Sequence, residues 1–141
     1  MSDSVNCIFC KIVAGDIPAQ VVLETPEALA FLDIAPLSDG HTLLVPKQHY
    51  TTLHNMPASD LKALTGQLSR LAAAVVRATG VSAYNILQNN GRPAGQVVEH
   101  VHFHIIPRTP GDDLGYRWNA KQYKEGKAEE LRRRIQSSLS G

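Results

Sequence analysis

Hydrophobic and polar residues recur along this chain with two distinct periods. Residues 59–79 carry Leu61, Leu64, Leu68, Leu71, Ala72 and Val75 at intervals of three and four, which places them on one face of an α-helix. Ser59 suits the N-cap of that helix, Asp60 its first turn, and Gly80 the position just past its end. Elsewhere the period shortens. Segments 20–24, 28–33, 41–45, 83–88 and 101–108 are apolar and β-branched and are bounded by Pro, Gly and Asn, so they are expected to be strands. Residues 7–14 carry a short helical pattern closed by Gly15-Asp16-Ile17-Pro18. Residues 109–119 look irregular, and 127–139 make a charged amphipathic helix with Leu131 and Ile135 turned inward. Strands, one long helix, then more strands predict an α+β fold with a mostly antiparallel sheet, rather than βαβ units.

Composition adds bounds rather than identity. A chain of 141 residues suits one domain, and 43% hydrophobic with 19% charged residues is ordinary for a globular protein. The formal net charge of +1 shows none of the basic excess of a nucleic-acid binder. The one basic cluster, Arg132-Arg133-Arg134, follows Glu129 and Glu130 in a helical pattern and reads as a solvated face. No apolar run approaches the length of a membrane span. The N-terminus has neither the basic nor the apolar region of a secretory signal, so a cytoplasmic location is expected, with Cys7 and Cys10 reduced.

Residues 100–104 read His-Val-His-Phe-His. On a strand alternate side chains share a face, so His100, His102 and His104 would follow one another about 6–7 Å apart, with Val101, Phe103 and Ile105 on the core side. Three imidazoles in a row can bind a metal, attack as nucleophiles or move protons near neutral pH. The preceding segment, Asn89-Asn90-Gly91-Arg92-Pro93-Ala94-Gly95-Gln96, offers backbone N–H groups, carboxamides and one guanidinium, the donors a phosphate needs. Cys7-x-x-Cys10 is half of a tetrahedral zinc site, a redox pair, or two buried cysteines. No strand precedes it, which disfavours the redox role.

Several separated motifs now agree. His100 to Ile106, as His-φ-His-φ-His-φ-φ, resembles the signature of the histidine-triad (HIT) superfamily. Cys7-Ile8-Phe9-Cys10 with Gly15-Asp16-Ile17-Pro18, Ala30 to Ile34 with Gly40 to Lys47, and Ala94 to His100 resemble its other blocks. The resemblance covers about residues 5–108 as a HIT domain and leaves 109–141 as a loop and helix extension. It implies a five-stranded, mostly antiparallel sheet with one long helix and a short N-terminal helix. It also implies a hydrolase or transferase acting at the α-phosphate of a purine nucleotide conjugate, either a phosphoramidate or a dinucleoside polyphosphate; the alternative is a nucleotide-binding zinc protein with little turnover. His102 would be the nucleophile, forming a nucleotidyl-histidine. His104 would bind phosphate oxygens or assist the leaving group, and His41 would support the triad. Asn89 and Gln96 would donate to the phosphate or leaving group, and Asp33 would bind the ribose. Phe9, Ile12, Phe31 and Ile34 would line the base pocket, or simply pack. Likeness to the zinc-containing bacterial branch implies a structural zinc on Cys7, Cys10, His49 and His100. A homodimer is implied as well, with an interface that includes the long helix. One position departs: many members carry Ser or Thr after the Gln, where this chain has Val97, which leaves the leaving group open. Residues 111–118 match no motif, and Trp118 has either a substrate or a packing role.

Overall fold

A computed structural model describes residues 5–115 and 119–140; Trp118 lies outside the described residues. Five strands form one antiparallel sheet in the order β1-β2-β3-β5-β4. They are β1 (Val21–Glu24), β2 (Ala28–Leu32), β3 (Thr42–Pro46), β4 (Ala83–Gln88) and β5 (Phe103–Arg108). The helices are α1 (Ile8–Ala14), α2 (Ala58–Thr65), α3 (Leu68–Thr79) and α4 (Lys127–Ser140). This is the expected α+β architecture. Among the described residues no helix is long and apolar enough to cross a membrane.

Both faces of the sheet are covered. On one, Leu64, Leu71, Ala72 and Val75 of α2 and α3 pack on Ala28, Ala30, Leu44, Val101 and Ile105, with Leu61 and Leu68 partly buried against them. The helical face read from the sequence is therefore the core face. On the other, Phe9 of α1 packs on Leu29, Phe31, Leu43 and Val45. Burying both faces explains why β3 is apolar at nearly every position rather than at alternate ones.

The expected single helix over 59–79 is two helices. Gly66 and Gln67 interrupt it, where Gln67 N–H bonds Leu64 O three residues back, in a tighter turn than an α-helix makes. Glycine weakens a helix interior by about 1 kcal/mol, and the turn falls beside Gly66. The first helix begins at Ala58 after Pro57, so Ser59 is in its first turn and not its cap. Gly80 does end the second, in the left-handed conformation at φ 73°. Another glycine is required by space. Gly40 sits at φ 92°, and a Cβ there would lie 2.6 Å from Thr79 Cγ2, so this residue lets the end of α3 lie against the start of β3.

The last strand starts later than its pattern suggests. Val101 and His102 precede β5, because Val101 N–H is taken by Tyr50 O at 2.8 Å rather than by a neighbouring strand. The inward turn expected of α4 is also not found: Ile135 is 60% exposed and Leu131 half-buried. Arg132, Arg133 and Arg134 pair along the helix with Glu129 and Glu130 at 3.3–3.9 Å, the solvated face read from the sequence.

Candidate active site

The end of the β2–β3 hairpin and the two central strands converge on one cavity of about 600 Å3. His102 and His104 enter it from β5 and the residue before it, with ring centroids 4.9 Å apart. His104 is held between Leu43 of β3 and Leu87 of β4 by the strand register. Asp33 and His41 meet at the hairpin's end, where Asp33 N–H bonds His41 O at 2.9 Å. Asn89, the residue after β4, lines the same space. Phe9, Ile12, Phe31 and Ile34 line it too. Phe9 and Phe31 belong to the core as well, whereas Ile34 is 88% exposed and so has no packing role.

The hydrogen bonds fix which ring nitrogen carries each proton. Leu37 N–H donates to His41 Nδ1 at 3.0 Å, so the His41 proton is on Nε2. That Nε2–H faces His104 Nδ1 at 2.9 Å, which makes His104 an acceptor there and puts its own proton on Nε2. His102 Nδ1–H donates to His100 O at 2.7 Å, which leaves the lone pair on Nε2. Burial holds all three imidazoles below their ordinary range; charge on His102 and His41 adds to this at His104, which falls to about 4. All three are neutral at pH 7. Asp33 Oδ2 lies 3.6 Å from His41 Nε2, and its Oδ1 accepts from Ala35 N–H at 2.9 Å. Donor atoms of Asp33, His41 and His104 gather within 4.8 Å, but a metal on His41 Nε2 would need the lone pair that the Leu37 contact places on Nδ1 instead.

His100 points elsewhere. It is fully buried against Cys7, Cys10 and His49, the only other group of donors within 4.8 Å found among the described residues. His100 Nδ1 is 3.3 Å from Cys7 Sγ, 3.5 Å from Cys10 Sγ and 3.2 Å from His49 Nδ1, and Cys10 Sγ is 3.3 Å from His49 Nδ1. A tetrahedral zinc with its usual bond lengths would space nitrogens by about 3.3 Å and nitrogen from sulfur by about 3.6 Å, so the four residues fit that ion. The other nitrogen of His100 faces Pro46 O at 2.9 Å, the outer contact that orients metal-binding histidines. Without a cation, burial and the adjoining Cys7 push the Cys10 thiol up to about 11, whereas a dication would favour the thiolate. The run of three histidines thus divides between two sites. Phe9 stands between them, edge-on to His100 at 5.8 Å and to His102 at 5.0 Å.

Gln96 is brought near but not in. It is buried behind the loop, its Oε1 accepting from Gly91 N–H and its Nε2 donating to Thr51 O, both at 2.7 Å. The sequence reading also missed part of the wall. Ile17, Pro18, Leu37 and Val98 line the cavity, whereas in the sequence Ile17-Pro18 reads as a helix stop and part of a family block, and Leu37 as loop.

Residues 14–111 match the HIT domain family, to which this chain belongs. The adenosine 5′-monophosphoramidase of Schizosaccharomyces pombe is 49% identical over 110 residues, 78% of this chain and 79% of that protein. The crystal structure of a HIT family member from Bacillus subtilis superposes with a TM-score of 0.89 at 38% identity, covering 94% of this chain and 96% of its own. A zinc-bound histidine triad protein from Mycobacterium smegmatis superposes with a TM-score of 0.74 at 34% identity, covering 97% of both chains.

Proposed function

We propose that this chain, a histidine-triad hydrolase, cleaves purine nucleotide conjugates at the α-phosphorus through a nucleotidyl-histidine on His102. The observation that carries the reading is the bond from His102 Nδ1–H to His100 O, which presents Nε2 to the cavity as a neutral nucleophile. As the Nε2–P bond forms, the P–N bond of a phosphoramidate breaks, and the amine leaves with a proton drawn from solvent. Water then attacks the phosphorus, returning neutral His102, the nucleoside monophosphate and that proton. A dinucleoside polyphosphate would react in the same way, with a nucleotide as leaving group. His104 Nε2–H, kept in that tautomer by His41, donates to a phosphate oxygen or the leaving atom. Asn89, which follows β4 and lines the same cavity, donates to the phosphate or the leaving group. Asp33 accepts from the ribose hydroxyls, and Phe9, Ile12, Phe31 and Ile34 enclose the base. Gln96 supports the phosphate from behind by holding the loop. The name of the fission-yeast relative favours an adenosine phosphoramidate among these conjugates.

Zinc on Cys7, Cys10, His49 and His100 would be structural, tying α1 to the start of the catalytic strand. We infer a homodimer also: β4 is an edge strand with Tyr84, Ile86 and Leu87 more than two-fifths exposed, a surface suited to a second copy. Light scattering reads that mass directly, and a monomer at micromolar concentration would refute it.

The test of the reaction is turnover of adenosine 5′-phosphoramidate by the wild type and by His102→Ala. Loss of turnover with retained AMP binding is expected. Equal activity in both proteins, or an inert wild type that only binds nucleotide, would reject the catalytic reading.

A further inference from the structure

A second cavity, of about 310 Å3, adjoins the first and shares Ile8, Val97 and Val98 with it. Its other lining residues are Asn6, Arg92, Glu99 and the buried Cys7 of the candidate zinc site. The shared residues form an apolar ridge, with Val97 80% exposed on it. The phosphate loop contributes to both sides. Asn89 and Gly95 line the first cavity, while Arg92, in the turn between them, lines only the second. Although Arg92 and Glu99 face the same space, neither makes an ion pair with any described residue.

Gly95, Val97 and Val98 line the first cavity together with His102 and Asn89, and Val97 and Val98 line the second as well, so a group bonded beyond a phosphorus held at His102 can pass over them. We propose that the second cavity is the leaving-group site. It takes leaving groups that are apolar next to the scissile bond and carry an anion, a carboxylate or a phosphonate-like group, at their far end. This rests on the hydrolase reading above. The ridge side chains offer no polar atom, so the segment crossing them is apolar. Beyond it the guanidinium of Arg92 presents a planar fork suited to an oxyanion, and the Asn6 amide adds a donor. Glu99 is the single carboxylate opposing them, and it weakens the preference without reversing it.

Three adenosine 5′-phosphoramidates test this, built on 4-aminobutyrate, on its methyl ester and on ammonia, with 3-aminopropylphosphonate as a second anionic arm. Wild-type kcat/KM should favour 4-aminobutyrate over its ester by about fivefold, the upper end for an exposed ion pair, and Arg92→Gln should erase that ratio. Glu99→Gln should widen the ratio. A larger effect on the phosphonate arm than on the carboxylate arm would identify the anion as phosphate-like, and the reverse as a carboxylate; either supports the site. Equal efficiency on acid and ester in the wild type, or a preference that survives Arg92→Gln, overturns the leaving-group site and leaves the hydrolase reading standing. A wild type inert to every amidate overturns both.

Discussion

Gln96 distinguishes a clamp from a ligand. Its carboxamide is 3% exposed and bridges Gly91 N–H to Thr51 O, so it joins the phosphate loop to the segment leading out of β3. Replacing it with Leu keeps most of the volume and orphans both backbone groups. Each orphan costs about 1–3 kcal/mol, and because loop groups recover some hydration a total of about 2–3 kcal/mol is expected. Unfolding entropy of about 2.1 cal/mol/K per residue amounts to roughly 0.3 kcal/mol/K over 141 residues. The thermal midpoint should then fall by roughly 7–10 °C. Gln96→Glu keeps the acceptor for Gly91 but sets a carboxylate oxygen against Thr51 O, so it should lose stability also. Circular dichroism melts of the three proteins give the midpoints, and steady-state kinetics on adenosine phosphoramidate give kcat and KM. Midpoints within about 2 °C of wild type, with KM raised in both variants, would show that the side chain reaches phosphate and not the loop.

Further outcomes follow from other parts of the molecule. Protein purified without chelator should carry one zinc per chain by metal analysis, and Cys10→Ser should lose it. If the ion is present at about a thousand times its dissociation constant, it adds about 4 kcal/mol, so stripping it should lower the midpoint by roughly 14 °C. His104 is held near 4, below its unfolded value, so it binds fewer protons folded than unfolded between those limits. Its contribution to stability is therefore complete above about pH 6.5 and is lost as pH falls toward 4, which melts across that range will read. Gly40→Ala combines a left-handed backbone with the Thr79 contact and should destabilise by about 2 kcal/mol or more, measured by urea unfolding. The half-buried carboxylate of Asp112 gathers Arg108, Thr109 N–H and Leu114 N–H, so Asp112→Ala should speed hydrogen exchange over residues 109–115.

How much of this was legible depends on the range of the interaction. Strand positions and the core face of the long helix follow local periodicity, and they could be read to within a few residues. The split beside Gly66 has only one weak local signal, the glycine, against a strong helical period on both sides, and the late start of β5 depends on Tyr50 O, 51 residues upstream of Val101, which has no local signature. The pairing of Cys7 and Cys10 with His49 and His100 came from family likeness, since spacing alone left three roles for the cysteines. The exposure of Ile135 on α4 is not legible either, because a stripe such as Leu131 and Ile135 looks the same whether or not anything covers it. The commitment of Gln96 was also hidden, because residue type cannot say which of two neighbouring surfaces a carboxamide will meet.

The short N-terminal helix has a bearing on how the protein comes into being. Seven residues are too few to stay helical alone, and α1 is fixed by Phe9 and by contacts such as Cys7 to His100, 93 positions apart. During synthesis α1 can therefore rest on β2 and β3 through Phe9, but it gains its contact with His100 only when nearly the whole domain has been made. The two histidines of the nucleotide cavity, His102 and His104, are absent until then. A nascent chain released short of His100 would have β1 to β3 and both packing helices to hand, yet no binding site, so nucleotide retention reports completion of the domain rather than formation of its core.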